Sequence, residues 1–277
     1  AARATLDEGV ALAKRLPRRC HPYAFLADPR VNCRTYLSRT LWTLGYPDQA
    51  AVLGDEALAL AEASQHPFTL ANNLGLIAGL QVSLRDVGRT ARLAELLIEL
   101  SSEQGFPYWL ANGLLWRGWV RVSSGETEAG LADLHDSVAR FRSHGNAITV
   151  AHGLNILADA YRQAGRPEEG LRVLAGLEPG EERRHAAESR RVEGDLLAMT
   201  GQSDEADDRY RRALAIAREQ SAKAFELRAA TSRARLLSAR DRARDARDLL
   251  APLYGWFTEG FETADLKDAG ALLDELA

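Results

Sequence analysis

Small residues stand at two fixed distances from each of six helix-breaking turns, and this pattern limits the fold more than any other feature of the sequence. Seven residues before each turn stands a serine, alanine or glycine, and five residues after it an alanine or glycine. Small side chains on both sides of a turn let two antiparallel helices approach closely. The sequence therefore predicts a helical hairpin as its repeating unit.

The turns recur at intervals of 41, 39, 40, 36 and 40 residues. They are placed at Gly45, Asp86, Gly125, Gly165, Gly201 and Asp241. The small residues before them are Ser38, Gly79, Gly118, Ala158, Gly194 and Ala234, and those after them are Ala50, Ala91, Gly130, Gly170, Ala206 and Ala246. Such a period is typical of stacked hairpins, each of which buries its apolar face only against its neighbours.

The fold class that follows is all-α, a tetratricopeptide-like helical-hairpin solenoid of about six repeats with a period of about 40 residues and a C-terminal capping helix. HEAT-type repeats have a similar period but do not account for the spacing from turn to small residue. We interpret residues 1-27 as the remnant of a preceding repeat and a linker, residues 28-253 as the array, and residues 254-277 as an aromatic turn with a capping helix.

The C-terminal segment is expected to cover the last hairpin. Thr263 is predicted to cap a final helix, whose apolar stripe is Leu266, Ala269, Leu273 and Leu276. Trp256, Phe257 and Phe261 are expected to pack over the open end of the last hairpin. An aromatic ligand box at Trp256 and Phe261 is the alternative interpretation.

Composition argues against several function classes. The 35 basic and 39 acidic residues interleave along the chain, which indicates no direct nucleic-acid partner. Residues 228-247 contain seven arginines but no aromatic residue for base stacking. The sequence contains no apolar run of about 18 residues, so it predicts no membrane span. Cys20 and Cys33 are too few for a disulfide framework and are interpreted as reduced thiols of a cytoplasmic protein.

The sequence carries no signature of catalysis, of a cofactor or of a metal site. The motifs GxxxxGK[ST], HExxH, GxSxG and GxGxxG do not occur, and the six histidines lack metal-ligand spacing. In the stretch "DEADD", Asp204, Glu205 and Asp208 resemble the aspartate-rich motif of prenyl-diphosphate enzymes. They stand at the start of a second helix, where acidic side chains interact favourably with the positive end of the helix dipole. An all-helical enzyme is therefore the third interpretation.

The remaining candidate for a functional site is a binding surface on the first helices of the hairpins. Positions 13, 10, 6 and 3 residues before each turn share one face of the first helix of the hairpin, and in tetratricopeptide repeats that face lines a concave groove. The candidate groove residues are Asn32, Arg39, Trp42, Asn73, Asn112, Trp119, His152, Asn155, Asp159, Arg162, Arg191, Arg228 and Arg235. The first three repeats supply mainly amides, aliphatic residues and tryptophans, and the last three supply mainly charged residues.

These side chains favour a partner protein or a peptide-like ligand. Asparagine can bond both donors and acceptors of an extended segment, and arginine suits a carboxylate, so a ligand with at least one acid is expected. Two alternatives stay open. The arginines can pair inside the groove, for example Arg191 with Glu188 and Asp195, and Trp42 and Trp119 can be buried between repeats.

Several stretches resemble the C-terminal region of a family of large bacterial signalling proteins. They include "LWTLGYPDQA" at 41-50, "GFPYW" at 105-109, "LADAYRQAGRPEEGL" at 157-171 and "YGWFTEGFETADLKDA" at 254-269. In that family a class III adenylate/guanylate cyclase domain or a DNA-binding regulator domain precedes a P-loop ATPase and a tetratricopeptide-like array.

The resemblance implies a non-catalytic interaction and sensor array that couples its ligand to upstream domains of the same chain. It carries over no catalytic residue, because the family's motifs for cyclase and ATPase activity lie outside this sequence. A structural scaffold that self-associates into a homo-oligomer is the alternative function.

Overall fold

The structure is a computed structural model that describes residues 2-15, 27-145, 147-177 and 185-277. Within these ranges it contains fourteen α-helices and no β-strand, which confirms the all-α tetratricopeptide-like prediction. The chain divides into two compact units, Ala1–Arg117 and Gly118–Ala277. The division of the sequence into three segments stays an interpretation.

Unit 1 consists of a leading helix, two hairpins and the first part of α6. Its helices are α1 (Ala2–Ala13), α2 (Pro29–Leu44), α3 (Pro47–Ala63), α4 (Pro67–Leu84), α5 (Val87–Gln104) and α6 (Pro107–Ser123). Helix α1 packs on α2, the pairs α2/α3 and α4/α5 form the hairpins, and the first helices α2 and α4 lie side by side. Proline at the first helical position begins α2, α3, α4 and α6, where its missing N–H costs no hydrogen bond.

Within the described residues, unit 2 contains the last part of α6 and eight further helices, of which α8/α9, α10/α11 and α12/α13 form hairpins and α14 is a single helix. Its helices are α7 (Thr127–Ser143), α8 (Ala147–Gln163), α9 (Pro167–Leu174), α10 (Ala186–Met199), α11 (Ser203–Glu219), α12 (Lys223–Ser238), α13 (Ala243–Tyr254) and α14 (Ala264–Glu275). The first helices α8, α10 and α12 lie side by side, and α14 packs on α12 and α13. Helix α9 has only 8 residues, and the 36-residue interval falls in this repeat.

Five of the six turns lie where the sequence places them, and one is shifted. Gly45, Gly125, Gly165, Gly201 and Asp241 have left-handed backbone conformations, but in the second repeat the left-handed residue is Arg85, with φ of 59°. Asp86 instead caps α5, since its carboxylate accepts a hydrogen bond from the Arg89 backbone N–H at 2.8 Å. The corrected intervals are 40, 40, 40, 36 and 40 residues.

The shift moves every position of the second repeat by one residue. The small residues seven before and five after Arg85 are Ala78 and Thr90, and both are 0% exposed. Ala91, which the sequence placed in this column, is only partly buried. The assignment of Gly79 and Ala91 to the two columns is therefore wrong.

Close approach of paired backbones is present in the hairpins α6/α7 and α8/α9. A Cβ atom added at Gly118 would lie 2.9 Å from the Gly130 carbonyl oxygen, and one added at Gly130 would lie 2.7 Å from the Gly118 carbonyl oxygen. An added Cβ at Gly170 would lie 3.2 Å from the Ala158 carbonyl oxygen. At Gly194 the nearest group is the Tyr210 ring instead, so the small residue there makes room for an aromatic side chain.

Gly75 and Gly79 serve packing between successive hairpins. An added Cβ would lie 2.7 Å from Trp109 at Gly75 and 3.0 Å from Trp116 at Gly79. The indole Nε1–H of Trp116 also donates to the Gly75 carbonyl oxygen at 2.9 Å. The sequence interpretation had these glycines packing within one hairpin, whereas both tryptophans belong to α6, the first helix of the next hairpin.

The last helix, α14, agrees with the predicted capping helix in place but differs in detail. Thr263 precedes α14 but forms no side-chain cap, since its hydroxyl donates to the Gly260 carbonyl oxygen at 2.6 Å. Leu272, rather than Leu273, is buried with Leu266 and Ala269. Of the three aromatic residues only Phe257 enters the core, because the exposed fractions of Trp256 and Phe261 are 39% and 44%.

We predict that Gly118→Ala destabilises the protein and that Gly88→Ala does not. Overpacking against a carbonyl oxygen costs about 1–3 kcal/mol, which exceeds the gain of about 1 kcal/mol in helix propensity. An added Cβ at Gly88 would meet nothing closer than 3.9 Å, so only the propensity gain applies. Thermal denaturation of both variants checks this, and equal melting temperatures would contradict the close approach at Gly118.

Candidate ligand-binding face

The first-helix face is the set of side chains that lie 13, 10, 6 and 3 residues before the left-handed turn of each hairpin. With the corrected turn, the first of these positions is occupied in unit 1 by Asn32, Asn72 and Asn112, at exact intervals of 40 residues. The Asn72 amide donates to the Asn32 side-chain oxygen at 2.7 Å, so equivalent residues of successive first helices are in contact.

Asn73, predicted for this face, lies inside the fold. Its side chain is 0% exposed, and its amide donates to the Thr35 hydroxyl at 2.7 Å. The residue that the sequence interpretation missed is Asn72. The spacing of Asn32, Asn72 and Asn112 was the signal that could have found it, but placing the turn at Asp86 hid it.

Neither groove tryptophan is an exposed anchor. Trp42 is 6% exposed and Trp119 is 7% exposed. Their indole rings therefore contribute mainly to packing.

Two polar residues predicted for this face in unit 1 are largely covered. Arg39 is half-buried. Asn112 is 7% exposed, and its amide donates to the Tyr108 carbonyl oxygen at 3.0 Å.

In unit 2 the arginines of the face pair with neighbouring carboxylates. Arg191 donates to both oxygens of Glu188, at 2.9 and 2.8 Å, and its remaining Nη1 pairs with Asp195. Arg162 donates to Asp159 at 2.7 Å. Pairing within the face, which the sequence left open as an alternative, is confirmed for these residues.

Helix α14 adds two acids that the sequence interpretation did not include. The Nε of Arg228 donates to Asp265 at 2.7 Å, while its Nη1 lies 3.3 Å from Glu188. Arg235 lies 4.0 Å from Asp268 and is largely exposed. Asp265 and Asp268 escaped sequence analysis because α14 follows an aromatic turn, so no repeat position predicts which of its faces meets α12.

Tyr210 joins the same group from the second helix α11. Its hydroxyl donates to Asp195 at 2.8 Å. Burial raises the pKa of Tyr210, and the neighbouring Asp195 carboxylate raises it further. The phenol therefore stays protonated and acts as a hydrogen-bond donor. We call Asp159, Arg162, Glu188, Arg191, Asp195, Tyr210, Arg228, Arg235, Asp265 and Asp268 the unit 2 ionic network.

The unit 2 ionic network has an excess of negative charge. Its four arginines face five carboxylates, a formal sum of −1. Burial acts to raise the pKa of Glu188, but Arg191 and Arg228 outweigh it and lower the pKa to about 2. Burial likewise opposes ionisation of Asp159, but Arg162 and Arg191 hold its pKa well below the usual range. The expectation of an acidic ligand loses its basis, because the arginines already have carboxylate partners.

Two further features lie near the start of the first helices of unit 2. The rings of His152 and His185 are stacked, with centroids 4.3 Å apart, and Phe225 meets His185 edge-on at 6.4 Å. Asn155, one turn after His152, donates its amide to the Ala151 carbonyl oxygen at 3.0 Å. Within the described part of the chain its side-chain oxygen is buried and has no hydrogen-bond partner.

The described residues offer little for other chemistry. No group of three or more His, Cys, Asp or Glu side chains in those ranges is placed to hold a metal ion. Three acids of the "DEADD" stretch are paired, Asp204 with Arg240 at 2.8 Å, Asp207 with Arg233 at 2.7 Å and Asp208 with Arg209 at 2.9 Å. Burial raises the pKa of the Cys33 thiol, whereas Cys20 and His21 lie outside the described residues.

Among the described helices, none combines the length and the apolar character that crossing a bilayer requires.

The fold is shared with several solved helical-repeat proteins. The Rap protein complexed with competence and sporulation factor aligns with a TM-score of 0.61 at 14% identity, over 99% of this chain and 84% of that chain. NprR in complex with its cognate peptide NprX aligns with a TM-score of 0.62 at 13% identity, over 89% and 70%. At such identities the likeness concerns the fold.

A multidomain protein has the same fold in one of its parts. The tetratricopeptide-sensor signal transduction ATPase with numerous domains from Pyrococcus horikoshii aligns with a TM-score of 0.52 at 12% identity, over 89% of this chain and 38% of that chain. No protein-family model matches the sequence, and no curated protein matches it. The fold is therefore that of a tetratricopeptide-like helical-repeat array.

We predict that Glu188 makes the stability of the protein depend on pH. Its folded-state pKa of about 2 lies below the ordinary value of 4.5, so its stabilising contribution is complete above pH 4.5 and is lost as the pH falls toward 2. Glu188→Gln should be about 1.5–3 kcal/mol less stable at pH 7, as for a lost charge-assisted hydrogen bond.

The difference between wild type and Glu188→Gln should shrink on acidification through this window. Urea denaturation at pH 7, 4.5 and 3 measures it, and the exposed Glu205→Gln serves as the control. A difference that stays constant over the three pH values would contradict the assigned pairing.

Proposed function

We propose that the chain is a non-catalytic sensor array that binds a peptide segment or a partner protein on its first-helix face. The observation that carries the proposal is the alignment of polar side chains at one position of successive first helices. In unit 1 they are Asn32, Asn72 and Asn112, and in unit 2 they are His152, Glu188 and Arg228. A row of amide and charged groups suits the alternating donors and acceptors of an extended backbone.

The fold neighbours support this proposal. One is a Rap protein complexed with competence and sporulation factor, and another is NprR complexed with a cognate peptide. Each combines the same fold with a bound factor or peptide. We extend this mode of binding to the present chain because its first-helix face offers polar side chains in register.

We further propose that ligand binding is coupled to upstream domains of the same protein, a P-loop ATPase and a cyclase or DNA-binding output domain. Support comes from the sequence resemblance and from the Pyrococcus horikoshii ATPase, in which a tetratricopeptide sensor accompanies a signalling ATPase. The gene sequence upstream of Ala1 tests this: a phosphate-loop motif supports the coupling, and a start codon at Ala1 would undercut it.

Self-association as a scaffold is the second candidate function. It is favoured by Trp256 and Phe261, two large aromatic side chains that remain about two-fifths exposed at the end of unit 2. Light scattering separates the two functions, because a scaffold forms oligomers at micromolar concentration without any ligand.

We predict that peptides selected from a phage-displayed random heptapeptide library bind the first-helix face. For peptides that bind unit 1, Asn72→Ala should weaken binding about three- to tenfold, and for peptides that bind unit 2, His152→Ala should do the same, the effect of one lost hydrogen bond or ring contact. Glu99→Ala and Arg212→Ala, exposed positions on second helices, are the controls and should leave the affinity unchanged. Calorimetric titration measures all four variants.

Two results would count against the proposal. If no peptide is enriched and light scattering shows oligomers, the scaffold function replaces it. If peptides are enriched but the control variants lose as much affinity as the face variants, the binding surface lies elsewhere.

A further inference from the structure

We infer that the first-helix face of α8, α10 and α12, together with the acids of α14, selects a peptide segment with a cationic side chain, an arginine or a lysine. The inference rests on the proposed function and names the class of ligand that this surface takes. It reverses the expectation from sequence, in which the arginines of the face suggested an acidic ligand.

The first argument is the occupation of the arginines. Arg191 is 9% exposed and holds Glu188 through two hydrogen bonds and Asp195 through a third. Arg228 is held between Glu188 and Asp265. An incoming carboxylate must displace one of these acids and leave a buried charge uncompensated, which is among the most costly changes in a protein interior.

The second argument is the charge that the pairing leaves over. With Asp265 and Asp268 from α14, the unit 2 ionic network has five carboxylates and four guanidinium groups. One added cation brings the sum to zero, whereas one added anion brings it to −2. The side chains of Asp159 and Glu188 are 20% and 18% exposed, so their carboxylates are reachable from solvent. Complementary charge favours the cationic partner.

The third argument is independent of charge and comes from Asn155. Its side chain is 5% exposed, and its amide nitrogen is committed to the Ala151 carbonyl oxygen. Its side-chain oxygen lacks a partner within the described ranges, and a buried acceptor of this kind requires a hydrogen-bond donor. An ionised carboxylate has no proton to donate, whereas ammonium, guanidinium and peptide N–H groups all donate.

Asn155 and Asp159 stand one turn apart on the same face of α8. Asp159 already accepts hydrogen bonds from Arg162 and Gln163, but a carboxylate has about four lone-pair sites, so the two side chains present a neutral acceptor and an ionised acceptor at successive positions. This pair matches the N–H groups of a cationic side chain and of the backbone that carries it. Within the described residues no three-ligand cluster favours a metal ion as the cation instead.

The test uses the full chain and a phage-displayed random heptapeptide library. We expect the enriched peptides to share an arginine or lysine at one position. In the best arginine-containing peptide, replacing arginine by citrulline, which keeps the shape and removes the charge, should weaken binding at least about tenfold. Affinity should also fall as the salt concentration rises.

Protein variants locate the effect. Asp159→Asn and Asn155→Leu should each weaken the peptide at least about tenfold, whereas Asp136→Asn, an exposed acid on α7, should not. Melting temperatures are measured first, because Asp159→Asn removes charge from the network. If Asp159→Asn does not fold, Asn155→Leu still tests the inference, because the Asn155 oxygen that it removes has no partner within the described ranges.

The outcomes separate this inference from the proposed function. Enriched peptides that are acidic or uncharged and that lose affinity in Asn72→Ala would overturn the inference and leave the proposed function standing. Cationic peptides whose affinity does not respond to Asp159→Asn or Asn155→Leu would also overturn it. Enrichment of no peptide at all would overturn the inference, and oligomers in light scattering would then replace the proposed function by the scaffold function.

Discussion

The close approach of two helix backbones at small residues is the constraint on which the rest of the structure depends. Where Gly118 faces Gly130, neither residue has space for a β-carbon, because the opposite carbonyl oxygen lies within 3 Å of its position. Here and at Gly170, which faces the Ala158 carbonyl oxygen, such contacts fix how the second helix returns along the first and where the left-handed turn falls between them. A hairpin of constant length then repeats each position after 40 residues, with one interval of 36. Equivalent side chains of successive first helices come into register, as Asn32 and Asn72 do.

That register explains the unit 2 ionic network. The first helices α8, α10 and α12 carry acids and arginines at neighbouring positions of one face, and partly buried charges require partners. Glu188 bridges Arg191 on its own helix and Arg228 on the next. Asp265 extends the chain of pairs to α14. The unit 2 ionic network therefore attaches α14 to the first-helix face and also sets the charge of that face. The capping helix and the proposed ligand surface thus share the same side chains.

Much of the fold could be predicted from sequence because it depends on small residues and turns, which are visible as a period. The error at the second repeat has a clear cause. Asp86 is a common turn residue, whereas Arg85 is a side chain that rarely adopts a left-handed conformation, and the single-residue shift exchanged Asn72 for Asn73. The site was less predictable. Spacing assigns Trp42 and Trp119 to a face but does not say how far neighbouring side chains cover them. No repeat position could predict that α14 brings Asp265 to Arg228 and Asp268 to Arg235, and these two acids change the formal charge of the unit 2 ionic network from +1 to −1.

The most direct test of this account is a double-mutant cycle between Glu188 and Arg228, which stand 40 residues apart at the same position of successive first helices and lie 3.3 Å from each other. Chemical denaturation of wild type, Glu188→Gln, Arg228→Met and the double variant gives the coupling free energy. The register described here predicts a coupling of at least about 1 kcal/mol, as found for side chains in one ionic network. Additive effects, within about 0.3–0.5 kcal/mol, would show that the two side chains do not meet and would contradict the register of the first helices α10 and α12.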